Sequence, residues 1–181
     1  MIVGIHQPDL LPYSGYWFKM ATSDVFVLAE HDQFQKHGYQ RRVMMRGSWC
    51  SHRLVGKPAL VPITEVEVAP GWQDYLAGVI RGRYTGSPLW KARGPAFLER
   101  LAAAQGERLH EVNRSMIEIM RDLLGITTPM VTTAPPQQAG VDRLIEQTLA
   151  VGGTTYLSGT GGLAYMGQDA PQRFAEHGIT L

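Results

Sequence analysis

The chain has 181 residues, 44% of them apolar and 18% charged, with 17 Lys and Arg against 16 Asp and Glu for a formal charge of +1. That length suits one compact domain spanning residues 1 to 181, and so even a charge balance offers no electrostatic footprint for DNA. A single cysteine, Cys50, excludes an internal disulfide, no run of about 18 apolar residues can span a bilayer, and Met1 to Ile5 has no basic leader; a cytoplasmic protein without a membrane partner is expected.

Ile2, Val3 and Ile5 form a short apolar run stopped by Pro8, which predicts a buried strand over residues 2 to 6. A helix over Tyr13 to Thr22 and a second buried strand at Val25 to Leu28 complete a βαβ opening, its strands parallel. Short apolar runs at Val43 to Met45, Ser51 to Val55, Ala59 to Val61 and Val66 to Val68 predict strands of an insertion or a sheet edge. From Trp72 the pattern turns helical, and Gly86, Pro88, Gly94 and Gly106 divide it into about three helices. In the last of these, Leu109, Val112, Met116, Ile119, Met120 and Leu123 share a face, and Gly125 ends the helix. A strand within Thr127 to Thr133, a helix on Val141, Leu144, Ile145 and Leu149, a strand at Thr154 to Leu157 and a helical segment around Gln172 to His177 follow. The expected fold is α/β: a three-layer sandwich with a mainly parallel sheet, in which a helical subregion at about 72 to 125 covers one side.

Open parallel sheets hold ligands at the carboxyl ends of their strands, so His6 and Gln7, just past the first strand, are candidates for proton transfer or anion binding. Past the second strand come Glu30, His31, Asp32, Gln33, Lys36, Tyr39, Gln40, Arg41 and Arg42, expected on the same sheet edge; Gln33 and Gln40 can hold a carbonyl or amide, Lys36 and Arg42 an anion. A third strand end runs into Ser158-Gly159-Thr160-Gly161-Gly162, a small-residue turn whose amides and hydroxyls can cradle phosphate. His31, His37, Cys50 and His52 match no standard metal spacing, so no metal is expected. Ser158 lies in no nucleophile elbow and Cys50 in no activating motif. The four Trp, with Tyr13, Tyr16 and Phe18, are expected to face the core, with Tyr13 or Trp17 able to wall a pocket.

Taken together, Ile5-His6-Gln7-Pro8, Leu11-Pro12, Gly15-Tyr16, Lys19, Ser23 to Leu28, Gln33-Phe34, Lys36, Gly38-Tyr39-Gln40, Arg42 and Tyr156-Leu157-Ser158-Gly159 resemble the WbqC-like family. Trp72, Tyr84, Asn113 and Leu124-Gly125-Ile126 add scattered matches. The resemblance implies a setting among surface-polysaccharide or specialised-metabolite (natural product) genes and an activity as a small-molecule transferase. The family usually has two acidic residues where this chain has Glu30-His31, an Asn at Arg41, and a further helical segment past Leu181. The order of elements is also similar to nucleotidyltransferases of the HxGH class, although Tyr13-Ser14-Gly15-Tyr16 stands where their histidine pair belongs.

These readings converge on an enzyme that transfers an acyl, aminoacyl or related group to an amino sugar or amino acid, from a nucleotide or nucleotide-activated donor. His6, Gln33 and Lys36 are its catalytic candidates; Gln7, Tyr13, Glu30, Tyr39, Gln40 and Arg42 bind substrate; Ser158, Gly159, Thr160 and Gly161 hold phosphate. Two alternatives stay open: an adenylyl transferase or ligase using ATP, and a non-catalytic ligand-binding or partner subunit. The expected partners are a small-molecule donor and acceptor; a tRNA-borne donor and a homodimer are both compatible.

Overall fold

The computed structural model describes the backbone of residues 1–181 and all side chains except those of Thr160, Leu163 and Ala164. Its backbone divides into two compact units, one of residues 1–7, 13–31 and 126–181, the other of residues 8–12 and 32–125.

The first unit is built on a four-stranded parallel sheet. Strand β1 (Ile2–His6) pairs with β2 (Val25–Leu28) on one side and with β6 (Thr155–Leu157) on the other, and β5 (Met130–Val131) lies outside β2, giving the order β5-β2-β1-β6. All three ladders are parallel, so both faces of the sheet require cover. Helix α1 (Ser14–Thr22) covers one face, where the Tyr16 ring lies 5.1 Å from that of Phe26. On the other face Val3, Ile5, Val27 and Tyr156 pack with Val141, Leu144 and Ile145 of α5 (Gly140–Ala150) and with Phe174 of α7 (Ala170–Glu176). The unit is therefore a three-layer α/β/α sandwich. Thr180, beyond α7, bridges back in parallel to Thr155.

The second unit consists of a hairpin and three helices. Strands β3 (Arg42–Met45) and β4 (Ser48–Ser51) are antiparallel, joined by Arg46 and Gly47, both at positive φ (48° and 78°), the two-residue turn whose twist matches its flanking strands. Val43, Met45 and Cys50 alternate onto the face that packs with α2 (Trp72–Tyr84), α3 (Trp90–Ala103) and α4 (Leu109–Leu123), around Leu76, Leu101, Leu109, Val112 and Met116. Arg83 ties the hairpin end down by donating to the carbonyls of Met45, Ser48 and Trp49 at 2.8–3.2 Å.

Several sequence expectations are corrected. Gly94 does not break the helical stretch: it lies inside α3, where a Cβ would come within 2.6 Å of the Trp90 indole, so glycine there lets the ring fold back on its own helix. Ala59 to Val61 is no strand, because Pro58 and Pro62 bracket it and leave only an isolated bridge between Gln33 and Pro62. The strand at Thr127 to Thr133 shrinks to Met130–Val131, the stretch that pairs with β2. The turn after β6 is two residues long, since α6 (Thr160–Met166) begins within the glycines. Tyr13, Phe18 and Trp49 are exposed rather than in the core, and Trp90 is only half-buried. Leu149 is exposed at the end of α5, and α4 buries Asn113 and Ile117 in addition to the expected face.

Candidate functional site at the carboxyl edge of the sheet

The strand order dictates where a ligand can sit in the sheet unit. In chain order the strands lie third, second, first, fourth, so the connections run in opposite directions from β1, and the switch falls between β1 and β6. Ligands of open α/β sheets bind outside the carboxyl ends at such a switch. His6 ends β1 there, Ser158 and Gly159 follow β6, and the Ala29 amide donates to the His6 carbonyl at 2.9 Å, placing Glu30 on the same edge.

His6 is partly buried, its ring set edge-on to Tyr16 at 4.7 Å between centroids. Its Nδ1 lies 3.2 Å from the Gln7 carbonyl oxygen, which selects the Nδ1–H tautomer and leaves the lone pair on Nε2. Burial, reinforced by the Lys19 ammonium, lowers the imidazole pKa to about 4, so it is neutral at pH 7.

Lys19, on α1, is the residue that spacing alone did not single out. It is buried, its Nζ donates to the Ile5 carbonyl at 2.6 Å and stands 5.4 Å from the centre of the Tyr156 ring. Among the described residues no carboxylate pairs with it. Burial lowers its pKa to about 8, which still leaves most of it charged at pH 7. The sequence signal for it was positional: one lysine between Tyr16, Trp17 and Met20, on the buried face of a helix that follows β1.

The other predicted residues fall into two groups. Glu30, Ser158 and Gly159 belong to the sheet unit: Glu30 is buried, and the Ser158 hydroxyl donates to the Gly159 carbonyl at 3.0 Å. Tyr13 of this unit is exposed, Gln7 is partly buried, and Gly161 lies in the first turn of α6; the Thr160 side chain lies outside the described residues. Gln33, Lys36, Tyr39, Gln40 and Arg42 belong instead to the hairpin and helix unit.

In that second unit the residues do different work. The Gln40 side chain is fully buried, accepting from the Gln35 amide at 2.9 Å and donating to the Gln33 carbonyl at 3.3 Å, and so fixes the loop. Gln33 and Lys36 are exposed on that loop. Arg42 stacks on Trp49 at 4.1 Å, and Tyr39 lies 6.2 Å from the same indole. In the same unit Asn113 Nδ2 donates to the Pro8 and Gln40 carbonyls at 2.7 Å each, and its Oδ1 lies 3.1 Å from His52 Nε2. Buried His52, with its pKa lowered to about 4 by burial, is neutral and serves this network. Burial also raises the Cys50 thiol pKa, so it stays protonated and is a poor nucleophile. Among the described residues no cluster of three His, Cys, Asp or Glu is placed to hold a metal.

The model of the WbqC-like protein family matches residues 7–181, beginning one residue after His6 and running to the last residue. The chain belongs to the WbqC-like family. No curated protein and no solved structure matches it. No helix among the described residues is long and apolar enough to cross a membrane.

Proposed function

We propose that this WbqC-like chain is a small-molecule group transferase, moving an acyl, aminoacyl or related group from a phosphate-bearing or nucleotide-activated donor to the amine of an amino sugar or amino acid. The observation that carries the reading is a neutral imidazole, His6, at the carboxyl end of β1 beside the switch to β6. His6 Nε2 takes the proton of the acceptor amine as its nitrogen attacks the donor's carbonyl carbon; the bond to the phosphate oxygen then breaks and phosphate leaves with the electron pair. A pKa near 4 makes the imidazole a weak base in the free protein, and an anion bound next to it raises that basicity. Glu30, Gln7 and Tyr13 are the proposed acceptor contacts, and Ser158 to Gly161 the proposed phosphate contacts. In the other unit, taken by itself, Gln33 and Lys36 are proposed as polar ligand contacts, and Tyr39 and Arg42, with Trp49, as a stacking surface for a planar group. Gln40 acts through the loop it holds. Intact activated donors suit a cytoplasmic setting.

The test is a mass-spectrometric assay of the purified protein with nucleotide-activated, acyl-phosphate and coenzyme A donors against amino-sugar and amino-acid acceptors, with donors chosen by thermal shift. Loss of a general base predicts that His6→Ala lowers turnover by about 10²–10⁴-fold while donor affinity holds within a few-fold. Pyrophosphate release with ATP would instead indicate nucleotidyl transfer. Binding without product from any donor would indicate a non-catalytic subunit.

A further inference from the structure

The β1–β6 ladder stops one rung short of what β1 can accept. Register pairs Ile2 with Thr155, Val3 with Tyr156 and Gly4 with Leu157, and there β6 ends while β1 runs on through Ile5 and His6. Carbonyls of successive strand residues point to opposite neighbours. Those of Ile2 and His6 accept from Asp24 and Ala29 on the β2 side, whereas that of Met1 accepts from Thr155 on the β6 side. The Ile5 carbonyl therefore faces the β6 side, where no strand residue remains. Lys19 Nζ donates to it at 2.6 Å, taking the place of the missing rung.

A neutral donor would fill that place at far lower cost. A buried ammonium loses several kcal/mol of hydration unless an opposite charge answers it. Lys19 is 9% exposed, and among the described residues its partners are one carbonyl and the face of the Tyr156 ring. An ammonium has three donors, and a carbonyl takes one. The Ile5 carbonyl that Lys19 binds lies at the carboxyl end of β1 on the side of β6, where the strand order reverses and where open α/β sheets form their ligand crevice.

We infer that Lys19 is the anion anchor of this crevice, its ammonium held in the vacated rung to bind an oxyanion of the ligand, a phosphate or a carboxylate. The inference rests on the proposed transferase reading for the location of the site only, since an oxyanion can be held there whether or not a group is transferred. A bound anion also supplies the countercharge that Lys19 lacks among the described residues, and it stabilises protonated forms of both Lys19 and His6.

The experiment uses the full chain and two probes, inorganic phosphate and acetate, with the Lys19 ε-methylene NMR signal and the melting temperature as readouts. One or both probes should shift the Lys19 signal saturably and raise the melting temperature; whichever binds identifies the anion. Lys19→Met should weaken that binding by about tenfold or more, and Lys19→Arg, which keeps the cation, should retain most of it. Neither probe moving the Lys19 signal of the wild-type chain would overturn the inference, and this arm needs no variant to fold. Equal binding by wild type and Lys19→Met would overturn it as well. Anion binding that survives in a His6→Gln variant, in a protein that never yields transfer product, would keep the anion anchor and remove the transferase.

Discussion

The two units bury polar groups in opposite ways. In the hairpin and helix unit, Asn113 spends both amide hydrogens on the Pro8 and Gln40 carbonyls and its oxygen on His52, and Gln40 in turn holds the loop from Gln33 to Gln35. In the sheet unit, Lys19 buries a full charge against one carbonyl and a ring face. Hydrogen bonds among neutral groups, here satisfying all of Asn113 and leaving only Nδ1 of His52 without a partner, lower the free energy of the fold they tie together, whereas a buried cation with no countercharge among the described residues raises it. The first arrangement builds a scaffold; the second makes sense where a ligand completes it.

The largest test of that contrast is Asn113→Ala. It leaves two buried carbonyls and His52 Nε2 without this partner, at about 1–3 kcal/mol per lost group with some relaxation, so the expected loss is about 3 kcal/mol. For a chain of this size that lowers the melting temperature by roughly 10 °C in calorimetry. A drop below about 1 kcal/mol would mean the network is decorative.

The second test uses pH. His52, with a folded pKa of about 4, resists protonation that the unfolded chain accepts at 6.5, so its contribution is lost as pH falls between those values. Asp9 is buried with its pKa raised to about 7, so between its ordinary 3.8 and 7 the folded state keeps a proton the unfolded state has released, and its contribution is lost as pH rises. The two slopes oppose each other. Asp9→Asn removes the second, so the rise of stability from pH 4.5 to 6.5 should steepen by one proton, about 1.4 kcal/mol per pH unit. Denaturant melts across that range read the slope directly; an unchanged slope would show that Asp9 titrates normally.

How far these features could be read in advance depended on whether a signal was local. Strands β1 and β2 emerged from apolar runs at their true bounds or within a residue, because a strand buried on both faces leaves a continuous record. The parallel pairing followed from the βαβ rule, and His6 from the place where the run stops. The division into two units did not emerge, because the boundaries at Gln7 and His31 carry no change of composition: the segment Pro8 to Pro12 joins the second unit through long-range bonds, Leu10 N to the Tyr39 carbonyl and Asn113 Nδ2 to that of Pro8. Asn113 was visible only as a family match, and Lys19 as a family match and by its place on the buried face of α1. Nothing local distinguishes an asparagine in mid-helix that binds two distant carbonyls from one that faces water.

A smaller effect sharpens the comparison from the other side. If the Lys19 charge is a burden on the fold, Lys19→Met, which fills similar volume without charge, should change stability near neutrality by less than about 1 kcal/mol or raise it. The sign with pH is also fixed. The folded pKa of about 8 lies below the ordinary 10.5, so between these values the unfolded chain binds more protons and wild-type stability gains from this group as pH rises. Lys19→Met should lack that gain in melts at pH 8 and 10. A large loss of stability in the variant would instead assign Lys19 to the scaffold, alongside Asn113.

The smallest expected effect belongs to the exposed face of the hairpin. Met44 and Trp49 are cross-strand partners, both largely exposed, and the Arg42 guanidinium lies 4.1 Å from the indole. An exposed stack of this kind contributes about 0.5–1 kcal/mol, so Trp49→Ala should cost no more than that, read as a small shift in the denaturation midpoint. The opposite face of the same strands is where stability resides: Met45 and Cys50 are buried with Leu76 and Leu101 in the core of that unit. With an arginine stacked on it and Tyr39 6.2 Å from it, a tryptophan of such small expected contribution to stability is suited to a test as a ligand contact. A nucleotide whose affinity falls in Trp49→Ala at unchanged melting temperature would identify the stack as a ligand contact, while a loss of more than about 2 kcal/mol in stability would place it with the scaffold around Asn113 instead.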